Sequence, residues 1–299
     1  MIYERTIRTP VECSGIGLHS GASVQLRILP ALAGTGIVFR RIDLDNFEVE
    51  AISRNVAKVS YATSLMKKGV LISTTEHLLS ACVGMGLDNA IVELDNLEVP
   101  ILDGSALPFI DMINAAGLRQ QRRKRAYLKI LRPYELREGD KRIGIYPAEN
   151  YTVSYAINFP HPLIGQEHFQ VELSNGSYVE QIAPARTFGF LEQQQAMLNL
   201  GLIRGASREN CVVLTQDGLD NGPLRYGDEF VRHKVLDLIG DLALFGKRIL
   251  GYVKADRAGH AMHTALVSRL LRDATYWEEV TLDQTKPTYF PHESLAVAD

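Results

Sequence analysis

Residues 228–245 read Asp-Glu-Phe-Val-Arg-His-Lys-Val-Leu-Asp-Leu-Ile-Gly-Asp-Leu-Ala-Leu-Phe, and this stretch predicts a long helix. Apolar residues surround most of it, so we expect the helix to be largely buried. His233 and Asp237 are four residues apart and therefore project from one helical face, which Asp241 continues one turn further on. Buried charges are normally paired or metal-bound, so these polar residues on a buried helix favour a functional site.

The spacing of His233 and Asp237 has two interpretations. An imidazole nitrogen and a carboxylate oxygen are ligands that zinc or iron accepts from a helix. A surface His–Asp pair that only stabilises the helix has the same spacing, and so short a motif often occurs by chance. The apolar surroundings favour the metal site.

The rest of the chain predicts two similar runs of elements: strands, a helix, a strand and a helix. In the first run the strands are 23–29, 36–39 and 89–94, and the helices are 74–84 and 105–117. In the second run the strands are 126–131, 142–146, 152–158, 169–173, 211–214 and 249–255, and the helices are 177–182, 190–200, 228–245 and 260–272. We therefore expect an α+β protein with two related domains, 1–122 and 123–299. The basic run 122–125 between them is interpreted as a solvated linker rather than a nucleic-acid or lipid patch.

Composition excludes several classes of protein. The chain has 299 residues, 46% apolar and 22% charged, as expected of a globular protein with a sizeable core. A net charge of -3 argues against a nucleic-acid partner. Three scattered cysteines form neither a disulfide framework nor a thiolate site, and no apolar run is long enough to span a membrane. With no signal peptide at the start, we expect a cytoplasmic protein.

A second group of polar residues lies at 73–78, Ser-Thr-Thr-Glu-His-Leu. Ser73 followed by Glu76 fits a capping box, in which case His77 at the helix start is incidental. Alternatively, His77 is a third metal ligand and Glu76 accepts a proton from the water. Two ligands from one helix and one from elsewhere is the usual layout of a catalytic zinc site. The sequence alone leaves both readings open.

A third group begins the last predicted helix. His260 is either a capping or core histidine, or an acid–base residue that protonates a leaving amine. An adjacent Asp241 would stabilise its imidazolium form and raise its pKa. Thr187 offers a hydroxyl among ring and glycine neighbours, but on its own it is best interpreted as a turn residue.

Taken together, these motifs resemble the UDP-3-O-acyl-N-acetylglucosamine deacetylases, metal-dependent enzymes of the committed step of lipid A synthesis. The similarity extends over nearly the whole chain. It rests on motifs in family-like order, at 15–19 (Gly-Ile-Gly-Leu-His), 73–78, 103–106 (Asp-Gly-Ser-Ala), 185–190 (Ala-Arg-Thr-Phe-Gly-Phe), 228–234, Asp237, 240–241 and 259–261 (Gly-His-Ala).

The resemblance implies a metal centre and its chemistry. One Zn²⁺ per chain, or Fe²⁺, would be held by His77, His233 and Asp237. Glu76 would be the general base that activates water for attack on the 2-acetamido group, releasing acetate.

The resemblance also implies that His260, supported by Asp241, stabilises the developing charge and protonates the amine, while Thr187 helps to hold the oxyanion. The family fold is two layered α+β domains with the active site between them. A βαβ insert at about 190–213 would form an apolar passage for the 3-O-acyl chain. The implied substrate contacts are Lys234, Phe159, Lys141 and the passage residues Phe188, Ile203 and Val212.

Three positions depart from the family pattern. His263 stands where an amide side chain is expected, and it is either a competing metal ligand or a surface imidazole. Arg204 replaces an aliphatic residue in the passage segment, and a snorkelling surface side chain explains it best. Asn158 replaces an acidic residue expected near the nucleotide.

The expected partner is therefore a UDP-linked acylated glucosamine, and we expect a monomer. Two other functions compete with this one. The chain could hydrolyse a different acylated amide, or it could bind a sugar nucleotide or acyl lipid without catalysis. The intact set of polar residues argues against the second.

Overall fold

The computed structural model describes residues 2–57 and 59–282. Within them the α-helices are Glu76–Met85 (α1), Leu107–Ala116 (α2), Asn175–Gln181 (α3), Gln194–Asn199 (α4), Glu229–Leu242 (α5) and His260–Leu271 (α6). Short 3-10 turns are Ser53–Asn55, Leu191–Gln193 and Ala243–Phe245. The strands are Tyr3–Ile7 (β1), Val11–Ile16 (β2), Ser23–Pro30 (β3), Ile37–Arg41 (β4), Phe47–Glu50 (β5), Leu65–Lys67 (β6), Val70–Ile72 (β7), Ala90–Leu94 (β8), Leu118–Lys124 (β9), Ala126–Ile130 (β10), Tyr134–Glu138 (β11), Lys141–Tyr146 (β12), Tyr151–Phe159 (β13), Gly165–Glu172 (β14), Phe188–Phe190 (β15), Val212–Leu214 (β16), Arg248–Asp256 (β17) and Trp277–Thr281 (β18).

Two large sheets form the framework. The first has the order β2-β3-β8-β4-β5, and the second runs β11-β12-β17-β10-β18, with β13 and β14 joined to it through β17. Strand β3 shows why one face of the first sheet is covered. Its apolar residues Val24, Leu26 and Ile28 alternate with exposed polar ones and are buried in the core.

The two halves of the chain repeat one arrangement. In the first sheet β4 and β8 are parallel, and α1 lies between them in sequence. In the second sheet β13 and β17 are parallel, with α5 between them. A parallel pair needs a long crossover connection, which these helices belong to. The predicted order of strands, helix, strand and helix and the predicted α+β class are confirmed.

Helices α1 and α5 pack against each other unusually closely. Gly240 on α5 makes this possible, because a Cβ atom there would lie 2.0 Å from the backbone oxygen of Glu76. The start of α1 is therefore pressed against the middle of α5, and the polar residues of the two helices meet.

The interpretation of the basic run as a solvated linker is wrong. Residues 122–124 belong to β9, which pairs antiparallel with β1. Arg125 is buried and its guanidinium donates to the Asp88 carboxylate at 2.6 Å. Composition cannot distinguish an exposed basic strand from a linker, because the pairing partner lies more than a hundred residues away.

The predicted helix at 190–200 is shorter than expected. Phe190 ends β15, and only a 3-10 turn and α4 follow it before the chain returns in β16. Strands β15 and β16 are parallel, which gives the βαβ unit expected for this segment. Among the described residues, no helix has the length and apolar content needed to cross a bilayer.

Candidate metal centre

Three potential ligands from distant parts of the chain meet between α1 and α5. His77 lies in the first turn of α1, and its Nε2 atom is 3.5 Å from Asp237 Oδ1. His233 Nε2, on α5, is 3.3 Å from the same oxygen. All three side chains are almost fully buried, and their ligating atoms lie within 4.8 Å of one another. These three side chains are a group that could hold one metal ion.

The protonation of His233 leaves one nitrogen free to bind a cation. Its Nδ1–H donates to the Ala185 carbonyl at 3.0 Å, so the lone pair is on Nε2. Burial lowers the pKa of His233 to about 4, although Asp237 opposes this, and the ring is therefore neutral at physiological pH. For His77, the Nδ1 atom has no hydrogen-bond partner among the described residues.

The Asp237 carboxylate is shared between the two histidines and a lysine. Its Oδ2 atom accepts a hydrogen bond from Lys234 Nζ at 2.9 Å, while Oδ1 faces His77 and His233. Burial alone would raise the pKa of Asp237, but Lys234 and the two imidazoles hold it well below its usual value. The carboxylate is ionised, and Lys234 fixes which oxygen is turned to the histidines.

The start of α1 has no capping box, which was one of the two readings that the sequence left open. Thr75 is the N-cap residue and makes no side-chain cap, and Glu76 is already the first helical residue. Thr74, just before it, has a positive φ of 57°, which is rare for a β-branched residue. Strain of this kind persists only where the surroundings enforce it and is typical of functional sites. The carboxylate of Glu76 is consequently free for another role.

Glu76 points into the same site. Its Oε2 atom accepts the backbone N–H of Thr63 at 3.0 Å, and Oε1 lies 3.9 Å from His260 Nε2. Burial raises the pKa of Glu76 to about 7, although His260 and His77 oppose the shift. A carboxylate with that pKa can accept and return a proton near neutral pH.

His260 is held by a buried carboxylate. Its Nδ1–H donates to Asp241 Oδ2 at 2.7 Å, which directs Nε2 towards Glu76 and Asp237. Burial alone would lower the pKa of His260, but Asp241, Glu76 and Asp237 raise it to about 9. His260 is therefore a cation at neutral pH and can donate a proton.

His263 is not a surface imidazole. It is 1% exposed and its Nδ1 atom lies 2.8 Å from Asp241 Oδ2. With His260 and Asp241 it forms a second group close enough to suggest a cation site. However, 2.7 and 2.8 Å are hydrogen-bond distances, shorter than the spacing between two ligands of one ion. His263 acts here as a hydrogen-bond donor.

An apolar cavity of about 530 Å³ opens beside these residues. Phe188 lies in its wall, with its ring centroid 5.7 Å from that of Phe159 and 5.0 Å from that of Phe230. Among the residues with predicted roles, the cavity is lined by Thr187, Phe188, Lys234, Phe159 and Ile203. Most of the remaining lining comes from the βαβ unit.

Two of the predicted substrate contacts, Val212 and Lys141, do not line the cavity. Val213 lines the cavity, whereas Val212 is buried in the core, because successive residues of β16 face opposite sides. The Arg204 side chain is exposed and does not line the cavity, which agrees with the surface side chain expected from the sequence. Lys141 is exposed at the hairpin that joins β11 to β12, also outside the cavity lining.

Comparison with known proteins identifies the family of this chain. The family model described as UDP-3-O-acyl N-acetylglycosamine deacetylase matches residues 4–272. The chain belongs to this deacetylase family. A protein of Solibacter usitatus (strain Ellin6076) named UDP-3-O-acyl-N-acetylglucosamine deacetylase is 54% identical over 285 residues, covering 95% of this chain and 96% of its own. One of the same name from Geotalea uraniireducens (strain Rf4) is 41% identical over 295 residues, covering 97% and 96%. The predicted family is confirmed.

Sequence reasoning gave no role to His19, although its motif is part of the resemblance to the deacetylase family. The Glu98 carboxylate accepts the backbone N–H groups of His19 and Ser20 at 2.9 and 2.7 Å. A Cβ at Gly17 would lie 2.4 Å from Glu98, so the loop closes this tightly only with glycine there. Both ring nitrogens of His19 are buried without a partner in the described residues, and the side chain lines the cavity. The loop thus presents the His19 ring to the cavity.

Proposed function

We propose that this chain is a metal-dependent deacetylase that hydrolyses the 2-acetamido group of UDP-3-O-acyl-N-acetylglucosamine to the free amine and acetate. This is the committed step of lipid A synthesis. One observation carries the proposal. Potential ligands from α1 and α5 converge on one point, and the buried carboxylate of Glu76 and the partly buried imidazole of His260 lie beside them.

The three ligands fit a divalent cation. Two atoms bound at about 2.0–2.1 Å to a tetrahedral ion lie about 3.3–3.4 Å apart. The histidine nitrogens lie 3.5 and 3.3 Å from Asp237 Oδ1, close to that spacing. Two imidazoles and a carboxylate suit zinc and iron alike, so we propose one Zn²⁺ per chain with Fe²⁺ as the alternative. When bound, the ion polarises the acetamide carbonyl and lowers the pKa of a water molecule.

Glu76 is proposed as the general base. Its buried carboxylate removes a proton from the attacking water, which its pKa of about 7 allows near neutral pH. The Thr63 N–H holds Oε2, so the other oxygen, Oε1, is turned towards His260 and the reaction site.

His260 is proposed as the acid that protonates the departing amine. It is cationic at neutral pH and lies within 4 Å of both Glu76 and Asp237, so it also stabilises negative charge that develops between them. Thr187 is proposed to donate its hydroxyl to the oxyanion, since it lines the cavity next to this site.

The apolar cavity is proposed to bind the 3-O-acyl chain, with the rings of Phe159 and Phe188 in its wall. Lys234 lies where the cavity meets the metal ligands and is proposed to contact the polar part of the substrate. Lys141 remains a predicted contact with no support from its position.

We also propose that the chain divides into two domains near residue 122, as the repeated pairing of β4 with β8 and of β13 with β17 suggests. Residues 283–299 of the predicted second domain lie outside the described residues. A cytoplasmic location and a monomeric state remain predictions from the sequence.

Acetate release from UDP-3-O-acyl-N-acetylglucosamine by metal-loaded protein tests the function. Glu76→Gln and His260→Ala should each lower kcat by about 100-fold or more, the usual contribution of a general acid or base. Glu48→Gln and His168→Ala are matched controls for these two residue types. Glu48 forms an exposed ion pair with Arg40, and His168 forms a hydrogen bond with Ser154. If Glu76→Gln and His260→Ala kept the kcat of these controls, the proposed roles would be refuted.

The substrate class is tested separately with the same compound lacking its 3-O-acyl chain. Because the cavity would then stay empty, kcat/KM should fall steeply. Equal kcat/KM for both compounds would favour an amidase of different specificity. Tight binding of the acylated compound without acetate release would favour a binding protein.

A further inference from the structure

The Asp241 carboxylate is fully buried and accepts hydrogen bonds from three side chains. His260 Nδ1–H and His263 Nδ1–H donate to Oδ2, and the Thr63 hydroxyl donates to Oδ1. A carboxylate in an apolar interior is stable as an anion only when such donors satisfy it. With a donor on each oxygen, Asp241 cannot rotate without breaking at least one bond.

Thr63 also holds Glu76. Its backbone N–H donates to Glu76 Oε2 at 3.0 Å, while its hydroxyl donates to Asp241. Its own backbone is fixed in turn, because the Thr75 N–H and hydroxyl both donate to the Thr63 carbonyl, at 3.2 and 3.1 Å. One anchored residue therefore contacts the carboxylates on both sides of His260.

His263 has a polar neighbour at each ring nitrogen, and its Nδ1–H donates to Asp241. Nδ1 lies 2.8 Å from Asp241, and Nε2 lies 3.1 Å from the Tyr155 hydroxyl. Tyr155 is fully buried and its hydroxyl donates to the Ala258 carbonyl, two residues before α6 begins. The His263 ring thus packs edge-on against Tyr155 of the sheet, and through Asp241 it restrains His260 one helical turn away.

We propose that Thr63 and His263 are positioning residues for deacetylation, which orient Asp241 so that it presents His260 Nε2 to Glu76 and the reaction site. The proposal rests on the roles given above to Glu76 and His260. Both side chains contact the Asp241 carboxylate, and Thr63 Oγ1 also lies 3.3 Å from His260 Nδ1, on the side of the ring that faces Asp241. A merely stabilising network would make a different prediction, since its loss would lower the stability of the protein and leave kcat of the folded enzyme unchanged.

Thr63→Val tests the proposal with little change of shape. Valine keeps the backbone N–H to Glu76 and the side-chain volume, and removes only the hydroxyl, which donates to Asp241 and lies 3.3 Å from His260 Nδ1. A hydrogen bond to a charged group corresponds to a factor of about 10 to 100, so we expect kcat to fall by about that amount with KM nearly unchanged. Thr63→Ser restores the donor and should recover most of kcat.

His263→Phe gives the second arm, because it keeps a ring of similar size without nitrogen donors. We expect kcat to fall and the KM for substrate to stay nearly constant. In the double variant Thr63→Val/His263→Phe, the loss of kcat should be smaller than the product of the two single losses, since both act on one carboxylate.

A spectroscopic readout separates positioning from activity. In zinc-loaded enzyme carrying nitrogen-15 histidine, the His260 Nδ1–H should give a hydrogen-bonded signal that exchanges slowly with water. Thr63→Val and His263→Phe should shift or broaden that signal, and Thr63→Ser should leave it near its original position. Metal content and unfolding temperature, measured on every variant, show which samples are folded and loaded.

The proposal is overturned if folded, metal-loaded Thr63→Val and His263→Phe keep wild-type kcat and an unchanged His260 signal. It is also overturned if Thr63→Ser is as slow as Thr63→Val, or if the two losses simply multiply. These failures differ from failure of the proposed function. In that case the wild-type enzyme would release no acetate, or Glu76→Gln and His260→Ala would remain fully active.

Discussion

Replacing Gly240 with alanine should dismantle the metal site without touching any ligand. The new Cβ would lie 2.0, 2.7 and 2.9 Å from three backbone atoms of Glu76, whereas Cβ atoms essentially never approach another heavy atom within 3.0 Å. Backbone cannot rotate away as a side chain can, so α1 must move from α5 by about 1 Å.

That displacement is large compared with the range of separations at which two atoms can bind one metal ion. His77 moves with α1, and its Nε2 atom would go from 3.5 Å to as much as about 4.5 Å from Asp237 Oδ1. Two ligands at about 2.0–2.1 Å from one ion can be at most about 4.2 Å apart, even in a straight line. His77 is therefore lost as a ligand unless the helix deforms, and the overpacking itself costs about 1–3 kcal/mol.

Competition with a chelator measures the metal affinity of Gly240→Ala, and chemical denaturation measures its stability. We expect the affinity to fall by more than the roughly 10- to 100-fold seen when a residue supporting a ligand is lost. Gly176→Ala is the matched control, because Gly176 is also helical and only the Ser174 hydroxyl lies as near as 4.0 Å to its added Cβ. It should leave metal affinity unchanged and stabilise the protein slightly. Wild-type metal affinity in Gly240→Ala would show that this close contact does not hold the site together.

Three further outcomes follow from the structure. Activity should be highest between about pH 7 and about pH 9. It falls at lower pH because Glu76 is protonated below its pKa, and at higher pH because His260 is deprotonated above its pKa. A pH–rate profile of His260→Gln that kept the alkaline fall would contradict this. Glu229→Gln should destabilise the protein by about 3–5 kcal/mol in a urea titration, because it leaves the Arg186 guanidinium without its buried partner at 2.9 Å. Burial raises the pKa of Glu229, but its bonds to Arg186 lower that pKa overall. The stabilisation is therefore present above the pKa that the carboxyl has in the unfolded chain, and it is lost as the pH falls through the pKa in the folded protein. Equal stability of the variant and the wild type at pH 7 would refute this prediction. Val213→Trp should fill part of the cavity and raise KM for the acylated substrate, and an unchanged KM would place the acyl chain elsewhere.

Local patterns in the sequence predicted much of the fold. The alternation in β3 and the apolar surroundings of α5 identified these elements correctly, because period-2 and helical patterns report which face is buried. Spacing on α5 also predicted that His233 and Asp237 share a face. The basic run at 122–124 was misread because its strand pairs with β1 at the other end of the first half of the chain.

The rest of the site depends on contacts that spacing does not encode. The meeting of His77 with Asp237 requires the close approach at Gly240, which the sequence shows only as one more glycine. Ser73 and Glu76 fit a capping box, but the positive φ of Thr74 turns the chain so that the helix begins at Glu76 itself.

The hydrogen bonds made by Thr63 could not be predicted either. Its partner Asp241 lies 178 residues away, and no local motif marks a threonine that serves two carboxylates. The resemblance implied Val212, whereas Val213 lines the cavity, because a shift of one residue along a strand reverses the side that a residue faces.

The location of the bound metal tests the central claim most directly. Crystals of zinc-loaded protein measured on both sides of the zinc absorption edge give the ion's position from its anomalous scattering. We predict one strong peak per chain, about 2.0–2.2 Å from His77 Nε2, His233 Nε2 and Asp237 Oδ1. A peak out of reach of His77, or one centred on Asp241, His260 and His263 instead, would contradict the account.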